Sequence, residues 1–408
     1  MGCPARLVVP SLESAAATVR PAPELGELVV RDAVIVEAVR TPVGKRNGGL
    51  AGLHSADISA HVLQALALRS GIDPVLVDDV IWGCVMQVGE QTFDIARTAV
   101  LSAGWPESVP GTTIDRQCGS SQQSVHFAAA GVIAGHYDLA VAGGVEMMSR
   151  TPMGSSFTAS PLGEKYTERY GTDFPNQGIG AEDIADTWNL SRAQLDEFAL
   201  RSHERAAAAQ DAGAFTGQIA PVPTADGLVS LDEGIRRGGT MDKLGSLKAA
   251  FKEDGKITAA NSSQISDGSA ALLITTSEFA KANGLTPLAR IHTAVVLGSA
   301  PMPMLTAPIP ATVKALAKSG LRIEEIGVFE VNEAFASVPL AWLKELGADE
   351  KALNPLGGAI ALGHPLGGSG ARIMTTMVHH MRDNGIRYGL QTMCEGGGQA
   401  NATILELL

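Results

Sequence analysis

Two cysteines and one histidine lie in three separate glycine-rich stretches, and these residue types suit covalent acyl chemistry. Cys118 lies in Asp-Arg-Gln-Cys-Gly-Ser-Ser, His364 in Gly-His-Pro-Leu-Gly-Gly-Ser-Gly and Cys394 in Cys-Glu-Gly-Gly-Gly. A thiolate is a soft nucleophile, an imidazole moves protons, and backbone amides at glycines can bind a developing oxyanion. In combination, the three stretches indicate an acyl-transfer site that needs no metal ion.

Cys118 comes just before a predicted helix over residues 120–134, a stretch that is rich in alanine and lacks proline. The N-terminal end of a helix carries partial positive charge and free amides, and both favour the thiolate. We therefore expect Cys118 to be a nucleophile with a lowered pKa. A small buried core residue is the commonest fate of a free cysteine, but the polar neighbours Arg116, Gln117 and Ser120 favour the functional interpretation.

His364 and Cys394 stand where backbone amides and a substrate can meet. His364 lies between Gly363 and Pro365, outside any regular helix. It could activate a thiol or stabilise an oxyanion, and the structural alternative is a loop histidine bound to a carbonyl. Cys394 ends a predicted strand and is followed by Gly396, at the edge where open α/β sheets bind ligands. Its structural alternative is a cysteine packed in the core.

Two further polar segments are candidates for binding. Asn332 stands between a predicted strand and helix, in Val-Asn-Glu-Ala-Phe-Ala, and could cap the helix or hold a water molecule. Residues 236–256 carry six basic and three acidic side chains, a local charge of +3 in a chain of net charge −12. This segment could attract a phosphate-bearing ligand, although a solvated charged face explains the pattern equally well.

The remaining cysteines and histidines with a predicted place are interpreted as structural. Cys84 lies in an apolar strand and is expected in the core, and His126 lies in the middle of a helix. His379 and His380 lie on a polar helix and are expected to be solvated. No Cys-x-x-Cys occurs in the chain, which argues against a zinc ribbon or a thioredoxin-type motif. Free, widely spaced thiols suit a reducing compartment.

The bulk composition narrows the class of protein. With 408 residues the chain can form two or more domains with large cores. A net charge of −12 and an aromatic content of 4% argue against a general nucleic-acid or anionic-membrane binder. No apolar run reaches the roughly 18 residues that a membrane span needs. Free thiols suit a reducing cytoplasm, so we expect a cytoplasmic protein. Residues 1–30 contain three glutamates and no continuous apolar stretch, and are expected to be a disordered extension.

Alternating strand and helix patterns over residues 33–144, and again from residue 289, predict an α/β fold with parallel layers. Residues 151–266 differ: they begin with a loop-like stretch and continue with a charged helix over 192–211, which indicates an inserted lid.

A faint internal repeat indicates that the fold is duplicated. An offset of 251 residues aligns Tyr137 with Tyr388 and Leu139 with Leu390, each pair between a helix and a strand that runs into glycines.

Taken in order, the motifs resemble those of the thiolase family over residues 31–408. Gln-Cys-Gly-Ser-Ser is similar to the family's nucleophile segment, and Asn-Glu-Ala-Phe, Gly-His-Pro and Cys-Glu-Gly-Gly-Gly look like its later motifs. The resemblance implies a duplicated five-layered αβαβα fold and a homodimer or homotetramer. It implies an N-terminal half at 31–150 plus 267–288, a CoA-binding loop domain at 151–266, and a C-terminal half at 289–408.

The resemblance also implies a role for each motif residue. Cys118 would be acylated, His364 would activate it and help bind the thioester oxygen, and Asn332 would hold the water that completes this first oxyanion hole. Cys394 would protonate the departing acetyl-CoA enolate and then deprotonate incoming CoA. The amides of Cys118 and Gly396 would form the second oxyanion hole. Coenzyme A would be a substrate, with no cofactor bound permanently.

Further positions bear on the substrate. Ser263 is similar to a family serine that contacts the pantetheine arm of CoA, and Arg236 to an arginine near the CoA phosphates. Arg-Gln-Cys at 116–118 is typical of degradative members, which cleave 3-ketoacyl-CoA in the β-oxidation of fatty acids or steroid side chains. Asn176-Gln177 stands near a His-Met pair of the biosynthetic enzymes. This departure disfavours a short acetoacetyl substrate and permits a longer or bulkier acyl chain.

Three other functions stay open beside degradative cleavage. One is a biosynthetic thiolase that forms acetoacetyl-CoA. Another is a decarboxylating condensing enzyme of the ketosynthase type, which lacks a second catalytic cysteine, so Cys394 argues against it. The third is a thiolase-like protein that binds acyl-CoA or lipid without turnover, and the presence of all four catalytic residue types argues against that.

Overall fold

The computed structural model describes residues 31–171 and 175–408 of the chain. The extension expected at residues 1–30 lies outside the described residues. The strands are β1 (Val34–Arg40), β2 (Gly44–Lys45), β3 (Asp79–Gly83), β4 (Thr112–Ile114), β5 (Leu139–Met147), β6 (Val222–Thr224), β7 (Gly227–Val229), β8 (Ser266–Thr275), β9 (Ala289–Gly298), β10 (Val328–Val331), β11 (Tyr388–Glu395) and β12 (Gln399–Leu407).

Two of the predicted helices have the bounds that the sequence indicated: residues 120–134 form α3 and residues 192–211 form α6. The α-helices are α1 (Ser55–Ser70), α2 (Ile95–Ser102), α3 (Ser120–Ala134), α4 (Glu164–Tyr170), α5 (Gln177–Thr187), α6 (Arg192–Asp211), α7 (Met241–Gly245), α8 (Ser277–Ala282), α9 (Pro308–Ser319), α10 (Ser337–Leu346), α11 (Ala359–Leu362) and α12 (Leu366–Asn384). None of the helices in the described ranges is long and apolar enough to cross a bilayer.

Within the described residues, ten strands form one mixed sheet in the order β10-β11-β12-β9-β1-β8-β5-β3-β4, with β2 beside β8. The prediction of parallel layers is therefore only partly right. Strand β3 pairs in parallel with β4 and β5, and β10 with β11, but β1, β8, β9 and β12 pair antiparallel. Only the three residues Gly396–Gly398 separate β11 from β12. A parallel neighbour needs a much longer crossover, so these strands can only be antiparallel.

Helices α3 and α12 form a central layer between the two halves of the sheet. Their apolar side chains share one core with strands from both halves. The two helices approach closely because Gly370 has no side chain: a Cβ there would overlap with the backbone nitrogen of Gln122. The offset of 251 residues relates α3 and β5 to α12 and β11, so the repeat predicted from Tyr137 and Tyr388 corresponds to two similar helix–strand units.

Two further cores cover the outer faces of the sheet. Helices α1 and α2 pack on the outer side of β1, β3, β5 and β8. Helices α9 and α10 pack on the outer side of β9 to β12. The layers are thus helix, sheet, helix, sheet, helix, and the expected αβαβα arrangement is confirmed.

The segment that interrupts the sheet pattern lies between β5 and β8. In its described part it contains α4 to α7 and the small hairpin of β6 and β7, which is separate from the main sheet. The hydroxyl of Ser202 on α6 donates to Oε2 of Glu333 at 2.6 Å, which joins the segment to the end of β10. The domain boundaries stay a prediction.

Candidate active site

The Cys118 sulfur lies at a sharp bend that leads into α3. The preceding residue, Gln117, has a positive φ of 49°, a conformation that costs a non-glycine residue energy. Asp115 holds the bend, because its Oδ1 accepts the backbone N–H of Gln117 at 2.6 Å. Ser120 adds a second link, since its hydroxyl accepts the backbone N–H of Arg116 at 2.9 Å. The bend fixes Cys118 just before the first turn of the helix.

The lowered pKa expected for Cys118 is not what the structure gives. Only 4% of Cys118 is exposed. Burial raises the pKa of the Cys118 thiol well above its ordinary value, and the nearby Cys394 and Glu395 raise it further. Desolvation of a charge outweighs the attraction of the helix terminus because the sulfur is almost completely removed from water. In the resting site Cys118 is a neutral thiol and needs a base.

An apolar cluster surrounds the thiol. It contains three methionines and three branched aliphatic side chains, all buried: Val85, Met86, Met148, Leu366, Ile373 and Met393. Leu366 belongs to the loop of His364, and Met393 precedes Cys394. The cluster therefore brings the three glycine-rich stretches together. Methionine is flexible, so such a lining can adapt to different apolar groups.

His364 presents one ring nitrogen to the site and binds Ser369 with the other. The Ser369 hydroxyl donates to the carbonyl of Pro365 at 2.8 Å and lies 2.6 Å from Nδ1 of His364. Because the hydroxyl proton is used on Pro365, Nδ1 must carry the proton that it donates to Ser369. Nε2 is then the unprotonated acceptor, and it is buried without a partner among the described residues.

The imidazole of His364 is neutral at rest. Burial lowers its pKa to about 3, and the positive charge of Arg372 on α12 acts in the same direction. A neutral imidazole with a free Nε2 can accept a proton from a thiol. Of the two roles considered for His364, activation of a thiol fits this geometry, whereas the structural alternative of a bond to a carbonyl does not.

Cys394 and Asn332 meet on the other side of the site. Cys394 is 1% exposed, and burial raises the pKa of its thiol to about 12, while the Asn332 amide acts in the opposite direction. The amide faces the sulfur too loosely for a formed hydrogen bond, so both of its polar atoms are buried without a partner in the described structure. Asn332 does not cap α10, whose N-cap is Ala336. A buried amide of this kind is a place for a bound water.

Glu146, which the sequence did not single out, holds the site together. Its carboxylate at the end of β5 accepts the backbone N–H groups of Val85, Met86 and Gly367 at 2.9–3.1 Å, and the Gln91 amide at 2.7 Å. It thereby fastens the loop of His364 to β3. Burial raises the pKa of Glu146, and these hydrogen bonds act against it. Only the Gly-Gly sequence before it marked this position as unusual.

Glu333 plays the corresponding part in the second half. Its carboxylate accepts Ser202, the Asn354 amide at 2.8 Å and the backbone N–H of Ile360 at 3.2 Å. The Asn354 side chain in turn holds the backbone of Val331, so the acid of the Asn-Glu-Ala-Phe motif steadies the chain just before Asn332. Glu333 is buried.

Ser263 lies beside the Asn332 motif, whereas Arg236 lies outside the site. The backbone N–H of Ser263 donates to the carbonyl of Ala334 at 2.9 Å, and its side chain is half-buried. The Arg236 side chain is exposed, and its backbone N–H donates to His203. Gly396 packs against the Gln117 side chain, so closely that a Cβ added at Gly396 would lie 2.8 Å from Oε1 of Gln117.

The basic segment 236–256 is partly neutralised by neighbouring helices. Arg237 pairs with Asp211 of α6, and Lys252 and Lys256 both pair with Asp186 of α5. Arg236, Lys243 and Lys248 stay exposed. The local charge of +3 is therefore reduced by the fold.

The other sequence interpretations are mostly confirmed. Cys84 is fully buried in the core, and His126 is buried and lies 2.7 Å from the Thr403 hydroxyl. The prediction for His379 is wrong: it is 4% exposed, and its Nε2 donates to the carbonyl of Ala38 at 3.0 Å. Its helix is central rather than peripheral, which a polar sequence does not reveal. Asn176 caps α5 with an exposed side chain.

Models of known protein families match the chain over most of its length. The model of the thiolase N-terminal domain matches residues 33–278, and that of the thiolase C-terminal domain matches residues 285–407. The chain belongs to the thiolase family. It is 49% identical to a steroid 3-ketoacyl-CoA thiolase of Mycobacterium tuberculosis, over 93% of this chain and 95% of that protein.

Two more relatives of this thiolase are similarly close. A 3-ketoacyl-CoA thiolase of Erwinia tasmaniensis is 45% identical, over 91% of this chain and 98% of the other. A beta-ketoadipyl-CoA thiolase of Escherichia coli is 44% identical, over 92% of this chain and all of the other. The chain is thus an acyltransferase of a family for which CoA is a substrate.

Proposed function

We propose that this thiolase cleaves 3-ketoacyl-CoA with CoA, giving acetyl-CoA and a shortened acyl-CoA through an acyl group on Cys118. One observation carries the proposal: a buried neutral thiol shares its site with an imidazole whose Nε2 is an unoccupied acceptor. The names of the relatives support the degradative direction.

In the first half of the reaction, His364 Nε2 accepts the Cys118 proton as the sulfur attacks the 3-keto carbon. The bond between the second and third acyl carbons breaks, and its electron pair passes into the enolate of acetyl-CoA. Cys394 gives its proton to the enolate carbon and becomes a thiolate. A thiol whose pKa is raised to about 12 is a neutral acid at the start, as this step requires.

In the second half, the Cys394 thiolate removes the proton of incoming CoA. The CoA sulfur attacks the acyl group on Cys118, and the Cys118 sulfur leaves and regains its proton from His364. The water held by Asn332 and the Nε2 of His364 would bind the thioester oxygen. The amides of Cys118 and Gly396 would bind the oxyanion of the acyl intermediate.

The remaining expectations form part of the same proposal. Ser263 would contact the pantetheine arm of CoA, with its position beside the Asn332 motif as support. Arg236, which is exposed, would lie near the CoA phosphates. We also propose that the domain boundaries lie at residues 150, 266 and 288. The protein is proposed to form a homodimer or homotetramer and to be located in the cytoplasm.

The acyl group is proposed to be longer or bulkier than acetoacetyl. The support is the adaptable methionine lining at Cys118 and a relative that is named for a steroid substrate. A thiolysis assay over 3-ketoacyl-CoAs from four carbons to steroid side chains tests this. A preference for the four-carbon substrate would contradict it and favour the biosynthetic alternative.

The test of the activity itself is Cys118→Ser. The variant is expected to lose CoA-dependent cleavage, because a serine hydroxyl is a much weaker nucleophile than a thiolate. Cys84→Ser, which changes a buried core cysteine that the mechanism does not use, is the matched control and keeps cleavage. Full cleavage by Cys118→Ser would overturn the proposal. Malonyl-dependent condensation would revive the ketosynthase alternative, and turnover with any 3-ketoacyl-CoA excludes the non-catalytic binder.

A further inference from the structure

Glu395 is a buried carboxyl group that the mechanism above does not use. It ends β11 directly after Cys394 and is fully buried. Side chains alternate along a strand, so Glu395 faces the central helix layer. Its carboxyl packs against the backbone of Gly119, the residue that follows Cys118. A Cβ at Gly119 would overlap with Oε1 and lie 2.7 Å from Cδ.

This carboxyl has no hydrogen-bond partner among the described residues. Both oxygens are buried and unpaired. The backbone amide of Asn401 faces the group and lowers its pKa, but at a geometry short of a hydrogen bond. The Asn401 side chain donates to the carbonyl of Gly119 at 3.2 Å instead. An ionised carboxylate is costly in such a place, because it has lost water and gained no donor.

The charged groups around Glu395 come from two elements. The loop before α3 supplies Arg116, Asp115 and Cys118, and its own strand supplies Cys394; the amides of β12 carry no charge. Burial raises the pKa of Glu395 to about 8, Arg116 acts against this and Asp115 with it. Arg116 is itself engaged, since its guanidinium donates to Gln399 at 3.0 Å.

We propose that Glu395 is a positioning residue that tunes the reactivity of Cys118 through its ionisation beneath Gly119. The idea rests on the proposed role of Cys118 as nucleophile. Below pH 8 the carboxyl is neutral and leaves the thiolate undisturbed. Above pH 8 it is charged, and its negative charge opposes the thiolate of Cys118. A carboxyl group of the site itself then limits the reactivity of Cys118 at alkaline pH.

The test compares the wild type with Glu395→Gln, which keeps the shape and removes the ionisation. Alkylation of Cys118 by iodoacetamide is followed from pH 6.5 to 9.5 by mass spectrometry of the Cys118 peptide. This rate reports the thiolate fraction. The exposed Glu324, changed to Gln, is the matched control. The readout needs no turnover, so it is independent of the proposed cleavage activity.

The expected profiles coincide near pH 6.5 and diverge above pH 8, where Glu395→Gln reacts faster by about tenfold, the effect of one pKa unit. Glu324→Gln follows the wild type throughout. Equal profiles, or profiles that differ by one constant factor at every pH, would overturn the proposal, because a merely structural change does not depend on the ionisation of Glu395.

A second variant keeps the test decisive if Glu395→Gln does not fold. Arg116→Gln removes the positive charge that favours the ionised carboxyl. The carboxyl then stays neutral to higher pH, and the alkaline suppression of alkylation moves to higher pH with it. Suppression at an unchanged or lower pH would contradict the proposal. Labelling of Cys118 by substrate tests the cleavage mechanism separately.

Discussion

The Ser369 hydroxyl lies 2.6 Å from Nδ1 of His364 and donates its own proton to the carbonyl of Pro365. This contact fixes the imidazole tautomer and leaves Nε2 as the base. Ser369→Ala is expected to lower kcat by about tenfold to hundredfold, part of the 10²–10⁴ that general acid–base catalysis supplies. Steady-state thiolysis measures this. Ser319→Ala, which removes a hydroxyl far from the site, is the control, and equal rates for both variants would refute the tautomer argument.

Glu146→Ala is expected to destabilise the protein by about 3 kcal/mol or more, because three backbone N–H groups lose their buried acceptor. Denaturant unfolding measures the loss. The exposed Glu164, changed to Ala, should leave the midpoint almost unchanged. A Glu146→Ala protein as stable as that control would show that Glu146 does not fasten the His364 loop to β3.

The buried pair of Arg40 and Asp232 joins β1 to the inserted segment through two hydrogen bonds of 2.7 and 2.9 Å. Asp232→Ala leaves a buried guanidinium uncompensated and should cost about 3–5 kcal/mol. The exposed pair of Arg237 and Asp211 has similar geometry, and Asp211→Ala should change stability little, since water screens it. Equal losses in unfolding experiments would contradict this ranking.

Four buried histidines make the free energy of unfolding depend on pH in the acidic range. Burial lowers the pKa of His126 and His364 to about 3, and that of His203 and His379 to about 4. The unfolded chain binds protons below about pH 6.5 that the folded chain does not, so stability falls as the pH drops from 6.5 towards 4.

His379→Gln separates one of these contributions from the others. The change should flatten the slope of unfolding free energy against pH by about 1.4 kcal/mol per pH unit in this window. His136→Gln, at an exposed histidine, should leave the slope unaltered. If both variants keep the wild-type slope between pH 6.5 and 4, then His379 is not held neutral by burial.

The sequence predicted much of the secondary structure because the local signals for helices and strands were strong. Residues 120–134 and 192–211 are rich in alanine, lack proline and have the predicted bounds. Strand β5 does not end where the sequence pattern runs into glycines: Gly143 and Gly144 lie inside it, and it continues to Met147. These glycines leave room for Trp82 and for the carbonyl of Gly367, contacts that only the folded chain creates.

The protonation states of the site residues were harder to predict than the identities of those residues. The position of Cys118 before a helix indicated a lowered pKa, but burial by Met86, Met148 and Met393 reverses the direction. Glu146 lies outside the motifs, and Glu395 lies within Cys-Glu-Gly-Gly-Gly without a role assigned to it, because the importance of both arises from backbone that is distant in sequence. The same holds for His379, whose polar neighbours concealed a central helix.

The central claim is that the two thiols are unequal, with Cys118 carrying the acyl group and Cys394 moving protons. A single turnover with labelled 3-ketoacyl-CoA, quenched before CoA is added and digested for mass spectrometry, tests this most directly. The acyl label is expected on the Cys118 peptide alone. Label on the Cys394 peptide, or none on Cys118, would contradict the account.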